Sequence, residues 1–377
     1  MNLPIIDLNK KDIQNNESGV SEAALFDRFS VVSNTNAFVL LGLFTIIFGL
    51  TLFFIQNTDG RVLVKEEGSK NTALLSGTFY GLEEKQQEEL PVKVVIYKDL
   101  FENIKIEAKA AYVFDINTGS VLYEKNKNVQ RPIASLAKVM TALVVSETID
   151  ERGLVTVRSE DIALEGNSGL RAGENWRLKD LLDFTLMTSS NDGASALASI
   201  AGTFPFLRDS VTTATSDTAL PEDMSSKEFF IKSMNDHARS LGMENTIFYN
   251  ETGLDITDLR SGAYSSAHDL ALLFEYIIKN EPTLLEATRK GSAEMTSTNG
   301  ILHVARNTNQ GVEFTSGLLA SKTGYTDLAG GNLGVVFDSG LGTPIIVVVL
   351  GSSVEGRFRD AEILSEAALN TVGQDIF

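Results

Sequence analysis

In the stretch PIASLAKVMTAL, residues 132–143, a serine stands three residues before a lysine at the start of an otherwise apolar helical pattern. At i and i+3, Ser135 and Lys138 share one face of a helix and lie within reach of each other. Ser135 falls in the first turn after Pro132, where backbone N–H groups lack intrahelical partners and make the position electropositive. Leu136, Val139, Met140, Leu143 and Val144 recur at helical spacing, so the segment should pack as a core helix and take Lys138 inward. Burial disfavours an ammonium, and a neutral amine can accept the hydroxyl proton, which makes the serine a nucleophile. The plainer reading is a capping serine beside a lysine that snorkels to solvent. What accompanies the pair decides between them.

Two further groups have suitable chemistry. Ser189 and Asn191, in TSSNDGAS, follow the leucine stripe of LKDLLDFTLM and so stand at a junction between helices, where a hydroxyl and an amide can project into a cleft. Ser–x–Asn also occurs at Ser69/Asn71, Ser233/Asn235 and Ser297/Asn299, but only the Ser189 copy sits between two helical patterns downstream of Ser135. In LLASKTGYT, Lys322 and Thr323 at the end of an apolar strand offer a cation and a hydroxyl able to hold a carboxylate, and Gly324 permits close backbone approach.

The elements that must position these residues are partly legible. AAYVFDINTGSVLYEKN (110–126) reads as a hairpin around the turn NTG, and residues 331–353 read as two strands around a Gly-rich turn, followed by a helix over 359–372. Strands at both ends with helices between them predict one sheet closed by distant segments around a helical region. The Ser/Thr/Asp-rich stretch 203–227 reads as an exposed insertion between two helical patterns. Residues 37–55, an uncharged run of 19, are long enough to cross a hydrocarbon core as a retained helical anchor. The expected organisation is a tail over 1–36, the anchor over 37–55, a stalk or accessory segment over 56–104, and a catalytic domain over 105–377.

Composition excludes several functions. There is no cysteine among the 377 residues, which removes thiolate nucleophiles, disulfides and sulfur-built metal sites. His237, His268 and His303 have no metal-ligand spacing to one another. A formal charge of −18 opposes nucleic acid as a partner.

Ser–x–x–Lys, Ser–x–Asn and Lys–Thr–Gly in this order are the signature set of penicillin-binding proteins and class A β-lactamases. Over roughly residues 110–368 the chain resembles the serine-type D-alanyl-D-alanine carboxypeptidases, the low-molecular-mass penicillin-binding proteins. The segments that carry the resemblance, besides those motifs, are the 110–126 hairpin, NTIFYNETGLD, YSSAHDLALL and GRFRDAEIL. The resemblance implies an α/β fold of the β-lactamase type, with an antiparallel sheet flanked by helices and an all-helical subdomain. It implies Ser135 as the acylated nucleophile, Lys138 as its base, Ser189 as a proton relay and Asn191 as a partner of the substrate amide or of Lys138. Lys322 and Thr323 would bind the terminal carboxylate, with the backbone N–H groups of Ser135 and Tyr325 as an oxyanion hole. Arg306 and Arg359 are expected near the carboxylate pocket. The implied substrate is a peptidoglycan stem peptide ending in two D-alanines, with β-lactams as inhibitors and no metal or organic cofactor. That substrate places the catalytic domain outside a bacterial cytoplasmic membrane, with the 37–55 run as its single-pass anchor; as a departure from the family, the common C-terminal β-domain is not expected here.

Two positions depart from the usual pattern: Ser190 stands where glycine is common, and Tyr325 where histidine is frequent. Alternatives on the same residues are an endopeptidase, a β-lactamase, or an idle pocket that senses β-lactams or cell wall. The β-lactamase reading needs a deacylating carboxylate, and NEPTLLEA, with Glu281 and Glu286, lacks the Glu–x–x–Leu–Asn pattern.

Overall fold

The β-forming segments from the two ends of the catalytic region pair with one another in the computed structural model, which describes residues 100–374 apart from 167, 213–224, 313–314 and 341. The tail, the 37–55 run and the segment 56–99 lie outside the described residues. In chain order the strands are β1 (Ala110–Asp115), β2 (Ser120–Lys125), β3 (Arg131–Pro132), β4 (Leu154–Thr156), β5 (Asn175–Arg177), β6 (Ile247–Phe248), β7 (Ala263–Ser265), β8 (Ser292–Thr296), β9 (Leu302–Arg306), β10 (Leu318–Thr326), β11 (Gly330–Asp338) and β12 (Pro344–Ser352). The α-helices are α1 (Ala137–Thr148), α2 (Leu178–Thr188), α3 (Asn191–Thr212), α4 (Ser226–Ser240), α5 (Ala267–Asn280) and α6 (Gly356–Gln374).

The main sheet has the order β10-β11-β12-β1-β2 and every neighbouring pair is antiparallel. Alternation along its strands sends Tyr112, Val336, Ile346, Val348 and Leu350 into the core shared with α1, α2, α3 and α5. Their neighbours Val113, Val335, Phe337, Val347 and Val349 face the other way, into a second core with Leu364 and Ala368 of α6. Both faces are therefore covered, which is why PIIVVVLGS of β12 reads as an unbroken apolar run.

The helical region is not free of strands: the pairs β4–β5 and β8–β9 border it, and β3-β7-β6 forms a third small sheet. The 203–227 stretch also differs from an insertion that interrupts helices. α3 runs on to Thr212 and α4 starts at Ser226, so helix occupies both ends of the stretch. A capping box fixes the second start, with Ser225 Oγ accepting from Glu228 N and Glu228 Oε2 accepting from Ser225 N.

The chain before β1 is tied to α6 by one buried carboxylate. Asp360 accepts from the backbone N–H groups of Glu107 at 3.0 Å and Ala108 at 2.7 Å, and from Ser352 Oγ at 2.6 Å. Removing it leaves buried donors without partners, so Asp360→Ala should lower unfolding stability by about 2–4 kcal/mol in a denaturant titration. A loss below about 0.5 kcal/mol would show that this clasp is dispensable.

Candidate active site

Four segments meet around Ser135. β3 pairs with β7 and leads into a tight 3-10 turn, Ala134–Leu136, so Ser135 precedes the α-helix, which starts at Ala137, instead of lying in its first turn. The turn begins with Ala134 at φ +48°, a left-handed conformation that costs about 1–2 kcal/mol for a residue with a Cβ. α1 then carries Lys138 inward, where it is 1% exposed.

The surroundings of Lys138 explain how a cation is held there. Its Nζ lies 2.9 Å from Ser135 Oγ, 2.7 Å from Asn191 Oδ1 and 2.8 Å from the carbonyl oxygen of Thr252. Two of these oxygens can only accept. A neutral amine has two donors and one lone pair, so donation to Asn191 and Thr252 leaves the lone pair for the Ser135 hydroxyl, the one neighbour able to donate. Desolvation pulls the lysine down to about 7, against an opposing pull from Glu251.

The Thr252 carbonyl is delivered by a turn that no catalytic motif marks. Asn250 Oδ1 accepts from Thr252 N at 3.3 Å and Gly253 N at 2.7 Å, and its amide donates to the Leu254 carbonyl at 2.9 Å. Gly253 has φ +77°, and a Cβ there would lie 1.9 Å from the Ala134 carbonyl oxygen. Only glycine lets this turn reach the 3-10 turn.

Ser189 and Asn191 come from the α2–α3 junction. Ser189 ends α2 at φ +59°, which separates the two helices and aims its hydroxyl at Lys322. The Asn191 side chain is fixed at both ends, since its Nδ2 donates to the Glu165 carbonyl at 2.7 Å while Oδ1 accepts from Lys138. Ser190 points away, accepting from Gly193 N and donating to Ser168.

Lys322, Thr323 and Gly324 lie within β10, an edge strand, two or more residues before its end. A Cβ on Gly324 would sit 2.6 Å from the Ile133 carbonyl and 3.2 Å from Ser135 N, so the missing side chain brings β10 against the 3-10 turn. Lys322 is 1% exposed and donates to Ser189 Oγ at 2.8 Å. Desolvation, then the charges of Lys138 and Arg357, hold it well below its ordinary value. Thr323 Oγ1 lies 2.6 Å from Thr308 Oγ1, and Tyr325 is 49% exposed, with its hydroxyl donating to Asp327. Two buried lysines and a buried arginine thus gather where an anion would relieve their mutual repulsion.

The two arginines from the sequence reading are not brought into this group. Arg359 bonds to Glu107 across an exposed surface on α6. Two residues earlier, Arg357 is the buried one: its Nη1 donates to the Gly324 carbonyl at 3.0 Å, and burial pulls its guanidinium down from the usual value. The pattern GRFRDAE contains both, and helical phase on α6 decides between them. Arg306 is exposed at the end of β9 and has no ion-pair partner among the described residues. Thr308, two residues on, makes the contact to Thr323 instead.

Gly324→Ala should reduce the reactivity of Ser135 toward serine-directed acylating reagents by roughly 10²-fold, because the methyl forces β10 off the 3-10 turn. Wild-type reactivity in this variant would mean that the contact is not needed.

Residues 98–205 and 215–354 match the D-alanyl-D-alanine carboxypeptidase family. The chain is 33% identical over 229 residues to the D-alanyl-D-alanine carboxypeptidase DacF of Bacillus subtilis, an alignment covering 58% of this chain and 51% of the relative. It is 33% identical over 233 residues to a D-alanyl-D-alanine endopeptidase of Escherichia coli, covering 60% and 66%. The chain therefore spans about half the length of the Bacillus relative. In three dimensions it shares its fold with the ampicillin-bound penicillin-binding protein D2 of Listeria monocytogenes, with a TM-score of 0.56 and 32% identity, over 70% of this chain and 98% of that one.

Proposed function

The chain belongs to the D-alanyl-D-alanine carboxypeptidase family, and we propose that it removes the terminal D-alanine from peptidoglycan stem peptides through an acyl-enzyme on Ser135. The observation that carries this reading is the Lys138 amine, buried and held between the Ser135 hydroxyl and two oxygens that can only accept.

The proposed steps use the groups that the fold brings together. The terminal carboxylate of the peptide enters the cationic pocket, held by Lys322 and the Thr323 hydroxyl, with Arg357 keeping the Gly324 peptide in place behind them. Lys138 takes the Ser135 proton as Oγ attacks the carbonyl carbon between the two D-alanines. The oxyanion that forms would be met by the N–H groups of Ser135 and Tyr325, a role supported by the close approach of β10 to the 3-10 turn at Gly324. Collapse breaks the C–N bond, and the proton on Lys138 passes to the leaving amine through the Ser189 hydroxyl, whose oxygen already accepts from Lys322. Water, activated by the same Lys138, then cleaves the ester and frees Ser135.

β-Lactams fit the same steps, and the ampicillin-bound Listeria relative supports penicillin as a ligand. The likeness to an endopeptidase supports a second reading, in which the amide cleaved is a cross-link between stem peptides. Placement of the domain outside a bacterial cytoplasmic membrane rests on the uncharged run 37–55 and on where such a substrate is found.

The test is D-alanine release by the full chain from a peptide ending in two D-alanines, with cross-linked muropeptides in parallel. Release should fall by roughly 10³-fold or more in Ser135→Ala. Release that persists in this variant contradicts the acyl-enzyme route, and cleavage confined to cross-linked substrates selects the endopeptidase.

A further inference from the structure

One buried carboxylate adjoins this site without taking part in the steps above. Glu251 is 6% exposed and directly precedes Thr252, whose carbonyl holds Lys138. Its own carbonyl accepts from Thr141 Oγ1 at 2.7 Å, one turn along α1 from Lys138. A buried carboxylate needs a counter-charge, and Glu251 Oε1 lies 3.3 Å from Lys227 Nζ. The same ammonium donates to Ser195 Oγ at 2.6 Å, and Ser195 in turn donates to the buried Asp161 at 2.9 Å. Lys227 is the second residue of α4, aimed by the capping box at Ser225.

Among the described residues, the charged groups around the two partners are few. Lys138 feels Glu251 from the turn and faces Lys322 on β10, while Ser135, Asn191 and the Thr252 carbonyl are uncharged. Glu251 meets Lys227 from α4 and the field of Lys138 from α1; Asp161 reaches Lys227 only through Ser195, and Arg357 acts on Lys322.

We propose that Lys227 is a positioning residue for the acyl-transfer site: its ammonium pairs with Glu251 and so limits how strongly that carboxylate keeps the proton on Lys138. The proposal deepens the reading of Lys138 as general base and rests on it. An unpaired Glu251 would hold Lys138 as ammonium, unable to accept from Ser135. Glu251 without its carboxylate would let the amine go neutral at lower pH. The end of the 203–227 stretch thereby reaches the chemistry through one ion pair.

The experiment reads the Lys138 amine directly and needs no turnover. In the full chain, isotope-labelled at lysine Cε, the Lys138 resonance is identified by its loss in Lys138→Arg and titrated by NMR in wild type, Lys227→Met, Lys227→Arg, Glu251→Gln and the double variant Lys227→Met/Glu251→Gln. Lys227→Met should raise the midpoint and Glu251→Gln lower it, each by roughly one pH unit. Lys227→Arg should stay within about 0.3 unit of wild type. The double variant should follow Glu251→Gln, because Lys227 acts through Glu251. A merely loosened turn admits water and raises the midpoint in every variant, so the fall in Glu251→Gln separates the two explanations. Midpoints that stay at the wild-type value in both single variants, or rise in both, overturn the proposal. Shifts as expected in a protein that releases no D-alanine would remove the carboxypeptidase reading and leave the electrostatic one standing.

Discussion

The burial of the Lys138 ammonium is the constraint on which the rest of the site depends. Taking a cation out of water is costly unless it is paired or loses its proton, and among the described residues Lys138 has hydrogen-bonding oxygens but no carboxylate in direct contact. Each oxygen comes from a different segment: the 3-10 turn, the start of α3, and the turn after β6. Every one of those segments is held by a separate device. Ala134 accepts a left-handed conformation, Ser189 another, and Gly253 clears the carbonyl that would otherwise block the turn. Local costs of about 1–2 kcal/mol at positive-φ residues are small beside what misplacing the amine would lose in rate.

The second lysine works by the opposite logic. Lys322 touches Ser189 and lies in the field of Lys138 and Arg357, both of the same sign. A neutral Lys138 reduces that repulsion, and an entering carboxylate reverses it. The two lysines thus differ in their surroundings, and the proposed division into base and anion holder rests on that difference. Ser189 meets the second of them, its hydroxyl oxygen accepting from Lys322. β10 is an edge strand of the sheet, packed against the 3-10 turn at Gly324.

Much of this was legible in the sequence, for reasons that can be named. The strands betrayed themselves because both faces of the sheet are covered and β12 must be apolar throughout. Ser135 and Lys138 were visible from their spacing of three together with the two motifs that follow in order, although Ser135 lies in the 3-10 turn ahead of the helix. What the sequence hid was anything that depends on rotation or on a backbone carbonyl. Arg357 and Arg359 differ by two positions, and the phase of α6 sends one under β10 and the other to Glu107. Thr252 meets Lys138 through its backbone carbonyl oxygen, which leaves no side-chain signal of that contact in the sequence. Thr308 meets Thr323 through a contact across distant segments that no local pattern announces. The Ser/Thr/Asp composition of 203–227 argued for a loop, yet helix runs into it from both ends, and at the second end the same Ser-rich composition supplies the cap.

The most direct test of the central claim is the rate at which benzylpenicillin acylates Ser135 as a function of pH, followed by intact mass with the adduct mapped to the serine. A lysine lowered to about 7 accepts the serine proton only when neutral. The rate should therefore rise tenfold per pH unit below that value and level off above it. A rate that keeps climbing toward the ordinary lysine range near 10.4, or one indifferent to pH between 5 and 9, would contradict the buried neutral amine as the base.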